Sequence, residues 1–195
     1  MEDHRVSHLP IVNNLDFLGL ISDTDIYGLE NQDEPLGSAM LSLFSPFVYD
    51  YQHLFEVVEL IARLKLTLCP VLNHRKEYLG SINMHDLMQK FASLSAADQP
   101  GGILVLSMTS RDYSLPQIAQ LVEENDAKIL SLFVHTDPDT TELELTIKLN
   151  NFDLSPIIRS LERFDYSIKA SFRDDDNMEA LYRDRYDEFM RYLNT

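Results

Sequence analysis

The stretch LTLCPVLNHRKEYLGSINMHDLM, residues 66–88, decides the fold that this sequence predicts. Residues 66–72 form a short apolar run typical of a buried strand, and the polar turn 73–76 separates it from a second strand over residues 78–83. A helix is predicted over residues 85–91, with Asn83 as its N-cap. Gly80 lies inside the second strand, at a point where a side chain would crowd a neighbour or a ligand.

The same order of parts occurs earlier in the chain, in HLPIVNNLDFLGLISDTDIYGL, residues 8–29. The matching positions are Pro10 with Pro70, which are 60 residues apart, and Gly19 with Gly80 and Asp25 with Asp86, which are 61 apart. One residue is therefore inserted in the turn. A repeat of this period predicts two similar units that bury their sheet faces against each other.

Composition narrows the class of protein. The chain has 195 residues, 45% of them hydrophobic, and a formal net charge of −16. This charge argues against binding to nucleic acid and to anionic membrane surfaces, because no basic stripe is present to neutralise phosphates. The single cysteine, Cys69, excludes a disulfide within the chain and indicates a reducing compartment. With no membrane-spanning run and no signal-peptide core, the sequence predicts a cytoplasmic protein.

Domain boundaries follow from polar and small-residue stretches. We expect a first repeat over residues 1–36, a second repeat over 37–95, a separate domain over 101–173 and a C-terminal helix over 177–195. The second repeat is preceded by a strand candidate at 47–49 and an amphipathic helix at 51–64, and the first repeat has no counterpart to either. The first repeat is therefore expected to be incomplete, with the N-terminus truncated.

The pattern changes after residue 102. Strands are predicted over 102–109, 128–135, 142–149 and 166–172, and helices over 115–125 and 154–164, with Ser114 as the N-cap of the first helix. The resulting β-α-β-β-α-β order is that of the ferredoxin-like split unit. The fold class expected for the whole chain is therefore α+β, ending in an amphipathic helix.

Both repeats carry a proline in the first strand and then glycine, apolar residues, a polar residue, two spacers and aspartate. The motifs read GLISDTD at residues 19–25 and GSINMHD at residues 80–86. They resemble a pair of CBS domains, and residues 102–172 resemble an ACT domain in their element order. A CBS pair followed by an ACT-like unit is similar to the acetoin-utilisation-type regulatory proteins.

The CBS resemblance implies an adenosyl ligand of the AMP, ATP, NAD or S-adenosylmethionine class, bound as a regulator, with no required cofactor. Ser22 with Asp25, and Asn83 with Asp86, would bind the ribose hydroxyls, since a carboxylate accepts two hydrogen bonds from a cis-diol. Asn83 departs from the Ser or Thr of the motif. The implied wall of the adenine site is apolar and comprises Leu9, Pro10, Ile11, Leu68, Pro70 and Val71. The candidate phosphate contacts are Arg5, His8, His74 and Arg75, the last two in a turn that also reads as a solvated surface.

Other interpretations of these residues stay open. A Ser-x-x-Asp at a helix start is also a variant of the capping box, with no ligand. The loop 110–114 after the first strand of the ACT-like unit has no glycine, which favours a sheet edge for dimerisation or docking over amino-acid binding.

No phosphate loop, metal-ligand set or activated cysteine is present, so a catalytic role is not expected. The sequence predicts a homodimeric regulatory module that acts on an unknown protein. The alternatives are a structural dimerisation or docking protein with vestigial sites, or amino-acid sensing by the ACT-like unit.

Overall fold

The computed structural model describes residues 1, 6–28, 43–136 and 142–172. The chain divides into two compact units, Met1–Phe91 and Ala92–Thr195. The predicted C-terminal helix, the linker 30–37 and Arg5 lie outside the described residues.

The elements of the first unit follow the predicted order. They are β1 (His8–Asn13), β2 (Asp16–Ser22), α1 (Asp23–Tyr27), β3 (Val48–Tyr49), α2 (Leu54–Leu64), β4 (Leu68–Leu72), β5 (Tyr78–Asn83) and α3 (Met84–Leu94). Helix α2 begins three residues later than residue 51, because His53 and Glu56 form a capping box at its start.

The two hairpins of the first unit have the same register. Pro10 lies opposite Leu20 in β1–β2, and Pro70 lies opposite Ser81 in β4–β5. One step further along, each hairpin pairs an apolar residue with its glycine and then has a β-bulge. The internal repeat that the sequence predicts is therefore present in the backbone.

The two hairpins differ in their surroundings. β1 and β2 form a two-stranded sheet, whereas β3 joins β4 and β5 in a three-stranded sheet in which β3 is parallel to β4. The apolar face of α2 packs into the same core as β4, through Val57 and Ile61. As a result Cys69 of β4 has no exposed surface, while Leu9, its counterpart in β1, is half-buried.

The second strands of the two hairpins meet each other. Asp16 and Glu77 form an antiparallel bridge, and the Tyr78 N–H donates to the Leu15 carbonyl at 2.7 Å. The rings of Phe17 and Tyr78 stack with centroids 6.3 Å apart. The start of β5 is thus paired on its outer side with the first repeat.

The second unit has the β-α-β-β-α-β order predicted from the sequence. Its elements are β6 (Ile103–Thr109), α4 (Leu115–Glu123), β7 (Ile129–Thr136), β8 (Glu142–Leu149), α5 (Ser155–Arg163) and β9 (Ser167–Phe172). The strands form one antiparallel sheet in the order β7-β8-β6-β9. Alternate residues of β6 and β8 and the apolar faces of both helices are buried in one core, which explains the clean alternation of residues 142–149.

Candidate functional site

The junction between β2 and α1 is closed by a reciprocal pair of hydrogen bonds. The Asp25 N–H donates to Ser22 Oγ at 3.1 Å, and the Ser22 N–H donates to Asp25 Oδ2 at 2.8 Å. This is a capping box, which satisfies backbone donors that the helix itself leaves unpaired. The cap therefore fixes the position of both side chains named by the motif.

The Ser22 hydroxyl has no hydrogen-bonding capacity left. It donates to Asp25 Oδ2 at 2.7 Å and accepts from the Asp25 N–H and from the Thr24 hydroxyl, the latter at 2.8 Å. A hydroxyl has one donor and two acceptor positions, and all three are in use. Asp25 differs, because its Oδ1 has no hydrogen-bond partner among the described residues and its side chain is exposed. In this arrangement Ser22 positions the site, and Asp25 is the group able to accept hydrogen bonds from a ligand.

Asp25 is held in its charged form. The hydrogen bond from the Ser22 backbone N–H, and then the one from the Ser22 hydroxyl, holds the pKa of the Asp25 carboxyl below its usual value. His8 adds a smaller electrostatic effect in the same direction, against a small opposing effect of burial. The carboxylate is therefore an acceptor-only group at neutral pH, as ribose hydroxyl donors require.

The corresponding junction between β5 and α3 has only half of this arrangement. The Asp86 N–H donates to Asn83 Oδ1 at 2.9 Å, so Asn83 is the N-cap that the sequence predicts. Within the described residues the Asp86 carboxylate receives no hydrogen bond in return. Asp86 is exposed, and nothing described fixes the orientation of its carboxylate.

The predicted apolar wall also differs between the repeats. Leu9, Pro10 and Ile11 of β1 are all half-buried, so each has surface that a ligand can contact. In β4, Leu68 is 5% exposed and Pro70 is fully buried, because β3 and α2 cover this strand. Val71 alone of the second set is half-buried.

The structure brings only one of the described cationic candidates to its predicted site. His8 lies directly opposite Ser22 in the β1–β2 register. His74 and Arg75 are exposed in the β4–β5 turn, at the end of the hairpin away from Asn83. β5 runs from Tyr78 to Asn83, and its five residue steps correspond to about 17 Å. The structure therefore does not support contact of His74 or Arg75 with a phosphate bound at Asn83. The turn that carries them and the strand end at Asn83 lie at opposite ends of the hairpin.

A contact between the repeats was not anticipated from the sequence. Thr67 Oγ1 accepts from the Ser7 N–H at 3.0 Å and lies 3.1 Å from His8 Nδ1. Ser7 and Thr67 occupy matching positions, since each gives its carbonyl to the first N–H of the following helix, at Asp23 and Met84. Extending the repeat alignment upstream by one hydroxyl residue would have found this pair.

The described residues also form cavities apart from these junctions. In the first unit, α2 and α3 border an apolar cavity of about 450 Å³ whose lining includes Ile61, Met84 and Met88. In the second unit a polar cavity of about 610 Å³ is lined by Arg111, Asp112 and others at the ends of β6 and α5. There Asp112 accepts a hydrogen bond from the Thr109 hydroxyl at 2.6 Å.

Among the described residues, no three His, Cys, Asp or Glu side chains are grouped so that they could hold a metal ion. In that same part of the chain, none of the helices has the length and apolar character needed to cross a membrane.

Residues 1–29 match the family model described as the CBS domain. The chain is similar to a CBS domain pair/ACT domain protein from Thermotoga maritima, at 17% identity over 48% of this chain and 76% of that chain, with a TM-score of 0.42. It is also similar to CBSX2 in complex with AMP, at 16% identity over 47% of this chain and 78% of that chain, with a TM-score of 0.36. A third similar structure is the CBS domain of a bacterial CNNM/CorC family Mg²⁺ transporter in complex with ATP, at 15% identity over 47% of this chain and 67% of that chain, with a TM-score of 0.37.

Proposed function

We propose that the chain is a non-catalytic regulatory module that senses an adenosyl compound at the junction of β2 and α1. The observation that carries the proposal is the Asp25 carboxylate, which the Ser22 cap fixes in its charged form, while none of the described residues hydrogen-bonds to its Oδ1. It lies within the residues that match the CBS domain. A fixed carboxylate beside a half-buried apolar strand suits a ligand with a ribose cis-diol and a planar base.

The chemistry of the surroundings favours a ligand with few phosphates. The chain has a net charge of −16, and His8 is the described cationic candidate on the Ser22 side of the site. Each further phosphate adds negative charge that has to be compensated. AMP or an adenosyl compound therefore fits this site better than ATP.

The contact between His8 and Thr67 provides a path for regulation. His8 lies beside Ser22, and its Nδ1 is within 3.1 Å of the Thr67 hydroxyl, which precedes β4 of the other repeat. A ligand that moves His8 changes this contact and thereby the packing of one repeat on the other. Ligand binding then shifts a conformational equilibrium in proportion to its differential affinity for the two states.

A thermal-shift panel tests the proposal. The full chain is heated with AMP, ADP, ATP, NAD, S-adenosylmethionine or common amino acids at millimolar concentration. A ligand at a hundredfold excess over its Kd stabilises the protein by about 2.7 kcal/mol. We expect a shift with adenosyl compounds that is lost in Asp25→Ala and kept in Asp86→Ala. No shift with any adenosyl compound would contradict the proposal.

A structural dimerisation protein is the second candidate function. Met84 and Met88 are 43% and 55% exposed beside the apolar cavity between α2 and α3, and such a surface is typical of an interface between subunits. This candidate predicts a homodimer and no response to metabolites. Asp25→Ala would then lower the free energy of unfolding by the contribution of a helix cap and would have no other effect.

An amino-acid sensor is the third candidate, and the polar cavity of the second unit favours it. The β-α-β-β-α-β order of this unit agrees with an ACT-like, ferredoxin-like domain. Arg111 at the cavity offers a cation for a carboxylate, but the neighbouring Asp112 opposes an anion. A thermal shift produced by amino acids alone, and lost in Arg111→Ala, would move the sensing site to this cavity.

A further inference from the structure

The two repeats of the first unit meet where one imidazole nitrogen contacts both polar groups of a threonine. His8 begins β1 of the first repeat, and Thr67 directly precedes β4 of the second. The Thr67 N–H donates to His8 Nδ1 at 3.4 Å, and Thr67 Oγ1 lies 3.1 Å from the same nitrogen. Thr67 Oγ1 also accepts from the Ser7 N–H at 3.0 Å, and all three residues are half-buried.

The main-chain donor at this contact determines the protonation state of the ring. A backbone N–H can only donate, so the Nδ1 atom that accepts from it carries no proton of its own. The proton of the neutral imidazole is then on Nε2. The Thr67 hydroxyl, which accepts from Ser7, can direct its own proton to Nδ1 as well. The contact between the repeats is therefore made by the neutral form of His8.

Protonation of His8 is incompatible with this arrangement. A proton on Nδ1 places a second donor against the Thr67 N–H, and that N–H has no other acceptor among the described residues. The Thr67 hydroxyl can turn a lone pair toward the new donor, but the backbone N–H cannot change its role. A half-buried main-chain donor thus loses its hydrogen bond, which is unfavourable away from water.

The first repeat offers the charged ring a different partner. His8 lies opposite Ser22 in the hairpin register, and it acts electrostatically on the Asp25 carboxylate at the start of α1. The hydrogen bonds from Ser22 both reach Asp25 Oδ2, and none of the described residues bonds to Oδ1. Asp23 adds a second negative charge on the same helix. An imidazolium at position 8 is therefore attracted toward its own repeat.

The second repeat offers no comparable attraction among the described residues. Thr67 is uncharged, and its carbonyl accepts from the Met84 N–H at 3.3 Å, at the start of α3. The ionisable residues that follow on α3 are His85 and Asp86, and both are exposed. Solvent screens charges at such positions. Protonation of His8 thus removes a bond to the second repeat without supplying a new one there.

We propose that His8 is a proton-operated switch between the two repeats. Neutral His8 accepts from the Thr67 N–H and joins the start of β1 to the residue that precedes β4. Protonated His8 releases this N–H and turns toward the Asp25 carboxylate of its own repeat. Histidine changes its charge between about pH 5 and 8, so the switch operates in the physiological range. No ligand takes part, so the proposal does not rest on the proposed function.

The test follows the histidine ring nitrogens and the main-chain amides of the ¹⁵N-labelled full chain by NMR, without ligand. At pH 8 we expect His8 to have an unprotonated Nδ1 and a protonated Nε2. On titration to pH 5, the Thr67 amide signal should move with the same midpoint as the His8 ring. His8→Gln should abolish this movement, whereas His74→Gln, in the exposed turn, is the matched control and should leave it unchanged.

A further variant separates His8 from the other imidazole that accepts a main-chain N–H. His53 Nδ1 accepts from the Phe55 N–H at 3.2 Å and caps α2. His53→Asn keeps a capping side chain but does not titrate. The movement of the Thr67 amide should persist in this variant.

The role of Asp25 is tested by the pH midpoint of the His8 ring. Asp25→Asn removes the charge that attracts the protonated ring, so the midpoint should move to lower pH. Asp23→Asn removes the same charge from the same helix and should move the midpoint less. The proposal is overturned if Nδ1 of His8 carries a proton at pH 8, if the Thr67 amide does not follow the ring, or if Asp25→Asn leaves the midpoint unchanged. The ring measurement on the unmodified protein decides the first point even if His8→Gln does not fold.

Discussion

At the end of the second strand in each repeat a polar side chain caps the next helix, but only the first repeat returns the hydrogen bond. Ser22 and Asp25 hold each other through three hydrogen bonds, whereas Asn83 caps Asp86 without a described bond to its carboxylate. Packing, in contrast, is more complete in the second repeat. There β3 and α2 cover β4, whereas β1 of the first repeat is half-buried. One backbone pattern thus supports an ordered and exposed helix cap in the first repeat and a core strand in the second.

The largest expected difference is in thiol reactivity at the matched positions 9 and 69. Cys69 has no exposed surface, and burial raises the pKa of its thiol to about 11, so little reactive thiolate forms. The variant Leu9→Cys in a Cys69→Ala background places the thiol on half-buried β1. We expect this variant to react with a disulfide reagent many times faster than the wild-type protein. Equal rates in folded samples would show that the two strands are covered alike.

The two glycines should respond unequally to the same substitution. Both have positive φ values, +150° at Gly19 and +155° at Gly80, so alanine introduces backbone strain at either position. At Gly19 the added Cβ also overlaps Leu43. We expect Gly19→Ala to reduce the free energy of unfolding by about 1–3 kcal/mol more than Gly80→Ala does. Urea unfolding of both variants measures the difference, and equal losses would contradict the unequal cover of the two glycines.

A smaller effect separates the two caps. Asp25→Ala removes a carboxylate that accepts from the Ser22 N–H and hydroxyl, and should cost about 1 kcal/mol of unfolding free energy. Asp86→Ala removes a carboxylate with no described hydrogen bond and should cost measurably less. Urea unfolding at neutral pH compares the pair, with Asp23→Ala on the same helix as a control for charge.

The smallest effect is the pH dependence of that cap. Since the pKa of Asp25 is lower in the folded state, its carboxylate stabilises the fold above its unfolded-state pKa of about 3.8, and this contribution is lost as the pH falls through the folded-state value. The stability difference between wild type and Asp25→Ala should therefore be full at neutral pH and shrink below about pH 4. A difference that grows on acidification would have the wrong sign for this cap.

The strands, helices and repeat could be predicted from the sequence because they depend on local patterns. The alternation of residues 142–149 and the proline and glycine spacings each carry information within a short window. The capped helix start at Ser22 and Asp25 could be predicted for the same reason, because a cap is a local structure.

The remaining features depend on contacts between distant residues. Gly19 and Gly80 look equivalent in the sequence, and only the fold shows that Phe44 and its neighbours cover one of them. The contact of His8 with Thr67 joins residues 59 positions apart. His74 and Arg75 directly follow β4, but the hairpin places them at the end that lies away from Asn83. Such features cannot be predicted from local sequence, because they arise only when whole strands and helices pack together.

The most direct test of the account is isothermal titration of AMP into the wild-type protein, Asp25→Ala and Asp86→Ala. Each protein is first shown to be folded by its unfolding transition. We expect wild type and Asp86→Ala to bind AMP with similar affinity, and Asp25→Ala to lose binding at least tenfold, about 1.4 kcal/mol. Binding that survives Asp25→Ala and disappears in Asp86→Ala would place the ligand in the second repeat and contradict the account.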